Sequence, residues 1–340
     1  MFVGNHSQLG LAAKILVPDP DPVLSYSPIV LDAIPNRPAP LQMRVSFPSP
    51  SSSSPGVALP IILLSHGLGP SSFLSSHEGY APLVDFLASR GFAVIQPTHL
   101  YSKFYDPSQV VPTGNEEGGN EFHWKTSARD LVQILDRLDE IEAAIPGLLN
   151  SGRRLDRERI GLVGHSFGAA TANLVLGVVN TDPRDSTTFG GRDDRVKAGV
   201  LLAGAGAGPL ETEIGRKIIP FYGPDFAQLT APTLVVAGDE DTSVHLAPTR
   251  GPDFHMDAYH LAPGPKELLT IRGGRHCLGG VDGWDAVGAP EDASPQRLGV
   301  VQRMTWAYLR SQLYEGDKAW AEACEALKGL GELGDVQHKS

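Results

Sequence analysis

The chain has 340 residues, of which 41% are hydrophobic and 20% charged, as is typical of a soluble globular protein. Its formal net charge of −11, with no basic stripe, argues against a nucleic-acid partner. The first residues lack the basic start of a signal peptide, and no apolar run is long enough to span a bilayer. Two cysteines, Cys277 and Cys324, predict no disulfide framework. We therefore expect a cytoplasmic protein without a membrane span.

Two short strand-like runs come first in the chain. Ala13–Val17 and Leu41–Phe47 are predicted to form an antiparallel edge, and the Ser- and Pro-rich stretch Pro48–Gly56 a surface loop. At the other end, the tail from Val301 to Leu327 is predicted as amphipathic helices that close the sheet.

Between these ends, apolar runs rich in Val, Ile and Leu alternate with helical patterns, as in a sheet covered on both faces. The predicted strands are Pro60–His66, Phe92–Pro97, Arg159–His165, Ala198–Ala203, Thr233–Gly238 and Leu268–Ile271. The predicted helices are Ala81–Ser89, Ser127–Ala144, Ser166–Val179 and Val300–Leu313. The alternation predicts a single α/β domain over residues 1–340, with a mostly parallel central sheet and helices on both faces.

Three segments, residues 98–122, 181–195 and 209–230, do not fit the alternation. Connections that follow the carboxyl ends of parallel strands surround the ligand site in such sheets. We interpret 98–122 and 209–230 as lid segments inserted in the loops, and surface decoration is the alternative interpretation.

The residues Gly164-His-Ser-Phe-Gly168 match the Gly-x-Ser-x-Gly pattern of a nucleophile elbow. A buried strand precedes the pattern and a helical run follows it, which is the context that the elbow of an α/β-hydrolase fold requires. The turn exposes the hydroxyl of Ser166, and the helix that follows brings backbone N–H groups beside it. Ser166 is therefore predicted to be a nucleophile.

A serine hydroxyl needs a base, and in this fold the acid and then the histidine follow the serine along the chain. His276 follows the strand-like run 268–271 in a Gly-flanked loop, which is the expected place for the base. The acid should follow Thr233–Gly238, where Asp241 is our choice and Asp239 the alternative. His255 and His260 lie five residues apart with only Asp257 nearby, which is poor spacing for metal ligation, so no metal is predicted.

The histidines at 245, 255 and 260 lie in an irregular segment before the run 268–271. We expect them to line the pocket or to face solvent. The repeated glycines of residues 204–208 lack the spacing of a dinucleotide-binding loop, so they are interpreted as a close-packed turn.

The second backbone donor for an oxyanion should follow the strand that ends near residue 66. His66-Gly67-Leu68-Gly69 lies there, so the N–H groups of Leu68 and Phe167 are predicted to form the oxyanion hole. An ordinary strand-to-helix turn is the alternative interpretation of this loop.

The motifs Ser65-His-Gly-Leu-Gly69 and Gly164-His-Ser-Phe-Gly168-Ala-Ala-Thr171 resemble the platelet-activating-factor acetylhydrolase and dienelactone-hydrolase-like branch of the α/β hydrolases. The resemblance implies a cofactor-free, serine-dependent carboxylic ester hydrolase. In the acetylhydrolases the acid follows the strand after the nucleophile helix, but here the run from Gly199 to Ala203 is followed by Gly-Ala-Gly. The acid must come one strand later, which favours Asp241.

The predicted function is hydrolysis of a small or medium apolar ester through an acyl-enzyme on a Ser166–His276–Asp241 triad. The alternatives are a lactonase, thioesterase, amidase or acyltransferase with the same triad, or a small-molecule-binding protein on a hydrolase scaffold. The sequence contains no pattern that distinguishes a monomer from an oligomer. Aromatic and histidine side chains on the loops are candidates for the substrate pocket, namely His66, Tyr101, Phe104, Trp124, Phe221 and Tyr222.

Overall fold

A computed structural model describes residues 7–49, 58–105, 123–283 and 292–340. The strands in these ranges are β1 (Val23–Leu31), β2 (Leu41–Pro48), β3 (Ala58–Ser65), β4 (Ala93–Pro97), β5 (Arg154–His165), β6 (Gly177–Thr181), β7 (Thr188–Arg192), β8 (Val196–Leu202), β9 (Pro224–Asp225), β10 (Thr233–Gly238), β11 (Lys266–Ile271) and β12 (Gly334–Lys339). The α-helices there are α1 (Ala81–Ala88), α2 (Trp124–Asp136), α3 (Leu138–Ala143), α4 (Pro146–Asn150), α5 (Phe167–Leu176), α6 (Glu213–Ile218), α7 (Asp257–Leu261), α8 (Pro295–Leu313) and α9 (Ala319–Lys328).

The central sheet has the strand order β1-β2-β4-β3-β5-β8-β10-β11-β12. The strands from β4 to β11 in that order pair in parallel, while β1, β2 and β12 pair antiparallel at the two edges. Every residue of β10 is buried, as is every residue of β3 after the first. The predicted mostly parallel sheet is confirmed.

Helices cover both faces of this sheet, and the side chains of β3 pack into the hydrophobic core on each face. Ile61 and Leu63 belong to the core under α2, α3 and α5. Ile62 and Leu64 belong to the core under α1, α8 and α9. Successive side chains of a strand point to opposite faces, so a strand buried on both sides reads as a continuous apolar run. The predicted helices on both faces are confirmed.

The N-terminal edge differs from its prediction. Residues Ser7–Lys14 form a 3-10 helix that packs on α8, and the edge strand is β1 instead. Ala12 and Ile15 are fully buried, whereas Leu16 is 82% exposed. Burial three residues apart suits a docked helical turn rather than a strand, so the prediction of a strand at Ala13–Val17 was wrong. The predicted loop Pro48–Gly56 lies mostly outside the described residues.

A small second sheet, with the strand order β7-β6-β9, begins where the sequence predicts the end of a helix. Helix α5 ends at Leu176, since Gly177 has a φ of 129° that a helix does not allow, and β6 starts at once. Strand β6 pairs antiparallel with both β7 and β9. The prediction of a helix up to Val179 was therefore wrong, and β7 lies in the segment 181–195 that did not fit the predicted alternation. The helix predicted over Ser127–Ala144 is likewise divided, into α2 and α3.

The C-terminal helices are confirmed as α8 and α9, and β12 then adds an edge strand that the sequence analysis missed. Strand β12 pairs along its whole length with β11. In the four described ranges, none of the helices combines the length and the apolar character that a membrane crossing requires.

Candidate active site

Ser166 lies on the sharp turn between β5 and α5, with a φ of 54° and a ψ of −122°. Its N–H donates to Leu202 O at 2.9 Å, which anchors the turn to the neighbouring β8. A Cβ at Gly164 would overlap the backbone of Gly168, and a Cβ at Gly168 would overlap Ser65 O. Only glycine fits at these two positions, so the turn can raise the Ser166 side chain above the edge of the sheet.

His276 and Asp241 come from the loops that follow β11 and β10. Ser166 Oγ lies 2.8 Å from His276 Nε2, and His276 Nδ1 lies 3.1 Å from Asp241 Oδ2. A carboxylate only accepts, so Nδ1 carries the proton and Nε2 presents its lone pair to the Ser166 hydroxyl. The structure thus brings the three predicted side chains into one chain of hydrogen bonds.

Asp239, the alternative acid, lies elsewhere. Its Oδ1 accepts from Gly273 N at 2.6 Å, and its Oδ2 lies 3.3 Å from an Arg272 guanidinium nitrogen. These contacts tie Asp239 to the turn that leads from β11 to His276. The carboxylate that reaches the imidazole is that of Asp241.

The environment of Asp241 and His276 favours an ion pair between them. Burial by itself would raise the pKa of Asp241, but the hydrogen bond and charge of His276 outweigh it, so the pKa is lowered. Burial also acts to lower the pKa of His276, yet the hydrogen bond and charge of Asp241 prevail and raise it. Asp241 therefore stays ionised and stabilises the protonated imidazole.

His255 is a second histidine beside Asp241, and of the two predicted alternatives it lines the cavity over Ser166 instead of facing solvent. Its Nδ1 donates to Gly204 O at 2.9 Å, and its Nε2 lies 3.4 Å from Asp241 Oδ1. Burial lowers the pKa of His255. Asp241, His255 and His276 present metal-ligand atoms within 4.8 Å of one another. Asp241 and His276 are already hydrogen-bonded to each other, so a metal ion at this place would have to break that hydrogen bond.

The loop after β3 packs directly against Ser166. A Cβ at Gly67 would lie 3.1 Å from Ser166 Cβ, so the loop approaches Ser166 without a side chain between them. Leu68 and Phe167, the predicted oxyanion donors, both line the cavity above Ser166. Leu68 is 39% exposed.

A buried polar network supports this loop from behind. His99 N donates to His66 Nε2 at 3.1 Å. The His99 ring contacts Ser65 Oγ and Asp130 Oδ2, each at 3.0 Å. Asp130 in turn accepts from Arg37 Nε at 2.8 Å. The loop is therefore held by paired polar groups, as burial of such groups requires.

The cavity over Ser166 has a volume of about 240 Å³. Apart from the loop residues and histidines already described, small and aliphatic side chains form most of its wall. Its further lining residues are Ala170, Ala203, Ala205, Ile218, Ile219, Tyr222, Thr242, Ser243, Val244, His245 and Leu246. No arginine or lysine belongs to the described lining. The cavity suits an uncharged, apolar ligand.

Of the six predicted pocket residues, Tyr222 lines this cavity. Trp124 and Phe221 instead stack on each other, with ring centroids 5.0 Å apart, and line a separate void of about 20 Å³. His66 and Tyr101 are buried behind the loop after β3, where the Tyr101 hydroxyl donates to His66 O. Phe104 is 40% exposed and packs on His77.

Two stretches that the sequence analysis missed supply much of the aliphatic wall. The end of α6 and the residue after it provide Ile218 and Ile219, and the residues after Asp241 provide Val244 and Leu246. The first stretch lies in the predicted lid segment 209–230. Val244 and Leu246, on either side of His245 just beyond Asp241, were a signal that could have identified the second. Of the other predicted lid segment, residues 106–122 lie outside the described ranges.

The comparison with protein families agrees with this geometry. The family model described as the alpha/beta hydrolase family matches residues 61–337, which include the loop after β3, Ser166, Asp241 and His276. Ser166, Asp241 and His276 follow one another in the order that this fold uses for nucleophile, acid and histidine, each after a strand of the parallel sheet. The chain belongs to the alpha/beta hydrolase family.

Proposed function

We propose that the protein is a serine-dependent carboxylic ester hydrolase that works through an acyl-enzyme. His276 accepts the proton of Ser166 while Oγ attacks the ester carbonyl, and the N–H groups of Leu68 and Phe167 stabilise the oxyanion. The protonated His276 then gives that proton to the leaving alcohol. Water, activated by the same imidazole, hydrolyses the acyl-enzyme and releases the acid.

The observation that carries this proposal is the continuous contact from Ser166 Oγ through His276 to Asp241, at 2.8 Å and 3.1 Å. All three residues line the cavity described above, where a substrate can bind. The resemblance of the two motifs to the acetylhydrolase and dienelactone-hydrolase-like branch supports an ester as the substrate. The aliphatic wall supports a small or medium apolar acyl or alcohol group.

A fluorophosphonate probe tests the nucleophile directly. We expect stoichiometric labelling at Ser166, identified by peptide mass spectrometry, because an activated serine attacks the phosphorus centre. A binding protein on a hydrolase scaffold would leave its unactivated serine unlabelled. A panel of apolar esters, lactones, thioesters and amides of matched size then separates an esterase from the other acyl-transfer activities, and we expect the highest kcat/KM on the esters.

The pH profile tests His276 as the base. Asp241 raises the pKa of His276 above its ordinary value, so the unprotonated base becomes available only at higher pH. We expect kcat/KM for an uncharged ester to rise with pH, with a midpoint above about 6.5. Steady-state rates between about pH 5 and 9 measure this midpoint. A profile that is flat, or that falls across this range, would contradict the assignment.

A further inference from the structure

We propose that Tyr80 and His165 are positioning residues that fix the oxyanion loop relative to the catalytic base. The inference rests on the proposed function, since it concerns how the parts of that site are held together. Tyr80 precedes α1, and His165 is the residue just before Ser166. Both side chains are buried, and neither lines the cavity described above.

Three hydrogen bonds form a chain through these two side chains. Gly67 N donates to the Tyr80 hydroxyl at 2.8 Å, and that hydroxyl lies 2.7 Å from His165 Nδ1. His165 Nε2 lies 2.8 Å from the backbone oxygen of His276. This chain of hydrogen bonds begins at Gly67 in the oxyanion loop and passes through His165, next to Ser166. It ends on the backbone oxygen of His276, the proposed base.

The direction of every bond in this chain is fixed. The His276 carbonyl only accepts, so His165 Nε2 carries the proton and Nδ1 is the acceptor. The Tyr80 O–H therefore donates to Nδ1, while the Tyr80 oxygen accepts from Gly67. Burial lowers the pKa of His165 to about 3 and raises that of Tyr80 well above its usual value. Both side chains therefore stay neutral around neutral pH, and the donor and acceptor of each hydrogen bond do not change.

Tyr80 also contacts the loop of the base through its backbone, since its N–H donates to Asp282 O at 2.8 Å. One residue thus links Gly67, His165 and the segment after His276. A tetrahedral oxyanion needs its donors, the nucleophile and the base in one geometry, and a misplacement of about 1 Å costs on the order of 10²-fold in rate. This chain of hydrogen bonds holds the three loops in fixed positions relative to one another.

The test is a Tyr80→Phe variant, which removes the hydroxyl and keeps the ring. We expect kcat per active site to fall by about 10- to 100-fold while KM stays within about threefold, because the cavity wall is untouched. Active sites are counted by titration with a fluorophosphonate. A merely structural role would lower the number of titratable sites and leave kcat per site unchanged.

The matched control is Tyr26→Phe, since the Tyr26 hydroxyl also accepts a glycine N–H, that of Gly147 at 3.0 Å, but on β1. We expect its kcat to equal that of the wild type. If Tyr80→Phe does not fold, His165→Leu removes both ring nitrogens and with them the path from Tyr80 to the His276 carbonyl, so the kcat per active site of that variant decides. An active wild type with an unchanged Tyr80→Phe or His165→Leu kcat overturns this inference alone. A wild type that hydrolyses no ester overturns the proposed function, and this inference with it.

Discussion

Replacing Ser166 with alanine is expected to lower the kcat for ester hydrolysis by about 10⁶-fold. The methyl group leaves His276 without a proton to accept, and no acyl-enzyme can form. The cavity and the backbone donors remain, so a residual rate of about 10³–10⁴ over the uncatalysed reaction should persist. Steady-state hydrolysis of an apolar ester, with fluorophosphonate labelling in parallel, measures both effects.

Ser186 supplies a matched control for this variant. It also has a positive φ, of 62°, but it is exposed and outside the cavity. Ser186→Ala should keep the wild-type kcat and labelling. A Ser166→Ala protein that retained a tenth or more of the wild-type kcat would rule out Ser166 as the nucleophile.

Asp241→Asn is expected to lower kcat by about 10⁴-fold while leaving the shape of the site intact. An amide can donate to Nδ1, which favours the tautomer with the proton on Nε2, and that nitrogen can then no longer accept from Ser166. The loss of the carboxylate also removes the interaction that raises the pKa of His276, so the midpoint of the pH profile should move down. Steady-state kinetics across the pH range measure both changes.

Asp239→Asn is the control, because it changes a neighbouring carboxylate that contacts the backbone of Gly273 instead of the imidazole. We expect its kcat to stay within a few-fold of the wild type. Chemical denaturation of both variants separates loss of chemistry from loss of folding, since Asp241 is buried. If Asp239→Asn were the damaging change, Asp239 would be the acid and Asp241 a structural residue.

The sequence analysis predicted the parallel sheet and the placement of Ser166, Asp241 and His276 because they depend on local patterns. A buried strand ends, and a short turn with glycines follows. In a parallel sheet the carboxyl ends of all strands lie at one edge, so residues just past three such ends must meet. The absence of a carboxylate after Ala203 moved the acid one strand further, and the contact between Asp241 and His276 agrees with that.

The pocket wall could not be predicted in the same way. Trp124 and Phe221 are aromatic and lie near loops, yet they pack on each other, because side-chain direction depends on tertiary contacts that no local pattern records. His66 and Tyr101 are turned behind the loop for the same reason. At β6, two β-branched valines after a helix have no periodicity that separates a strand from a further helical turn, and only Gly177 marked the boundary.

The strained backbone of Ser166 has a practical consequence for capturing a substrate in a crystal. A side chain with a Cβ occupies this conformation only because the surrounding turn imposes it, whereas glycine adopts it freely along with many others. An inactive protein for soaking with intact ester should therefore carry alanine at 166. Glycine would let the turn relax, and the complex would then show the substrate beside a geometry that the working enzyme does not have.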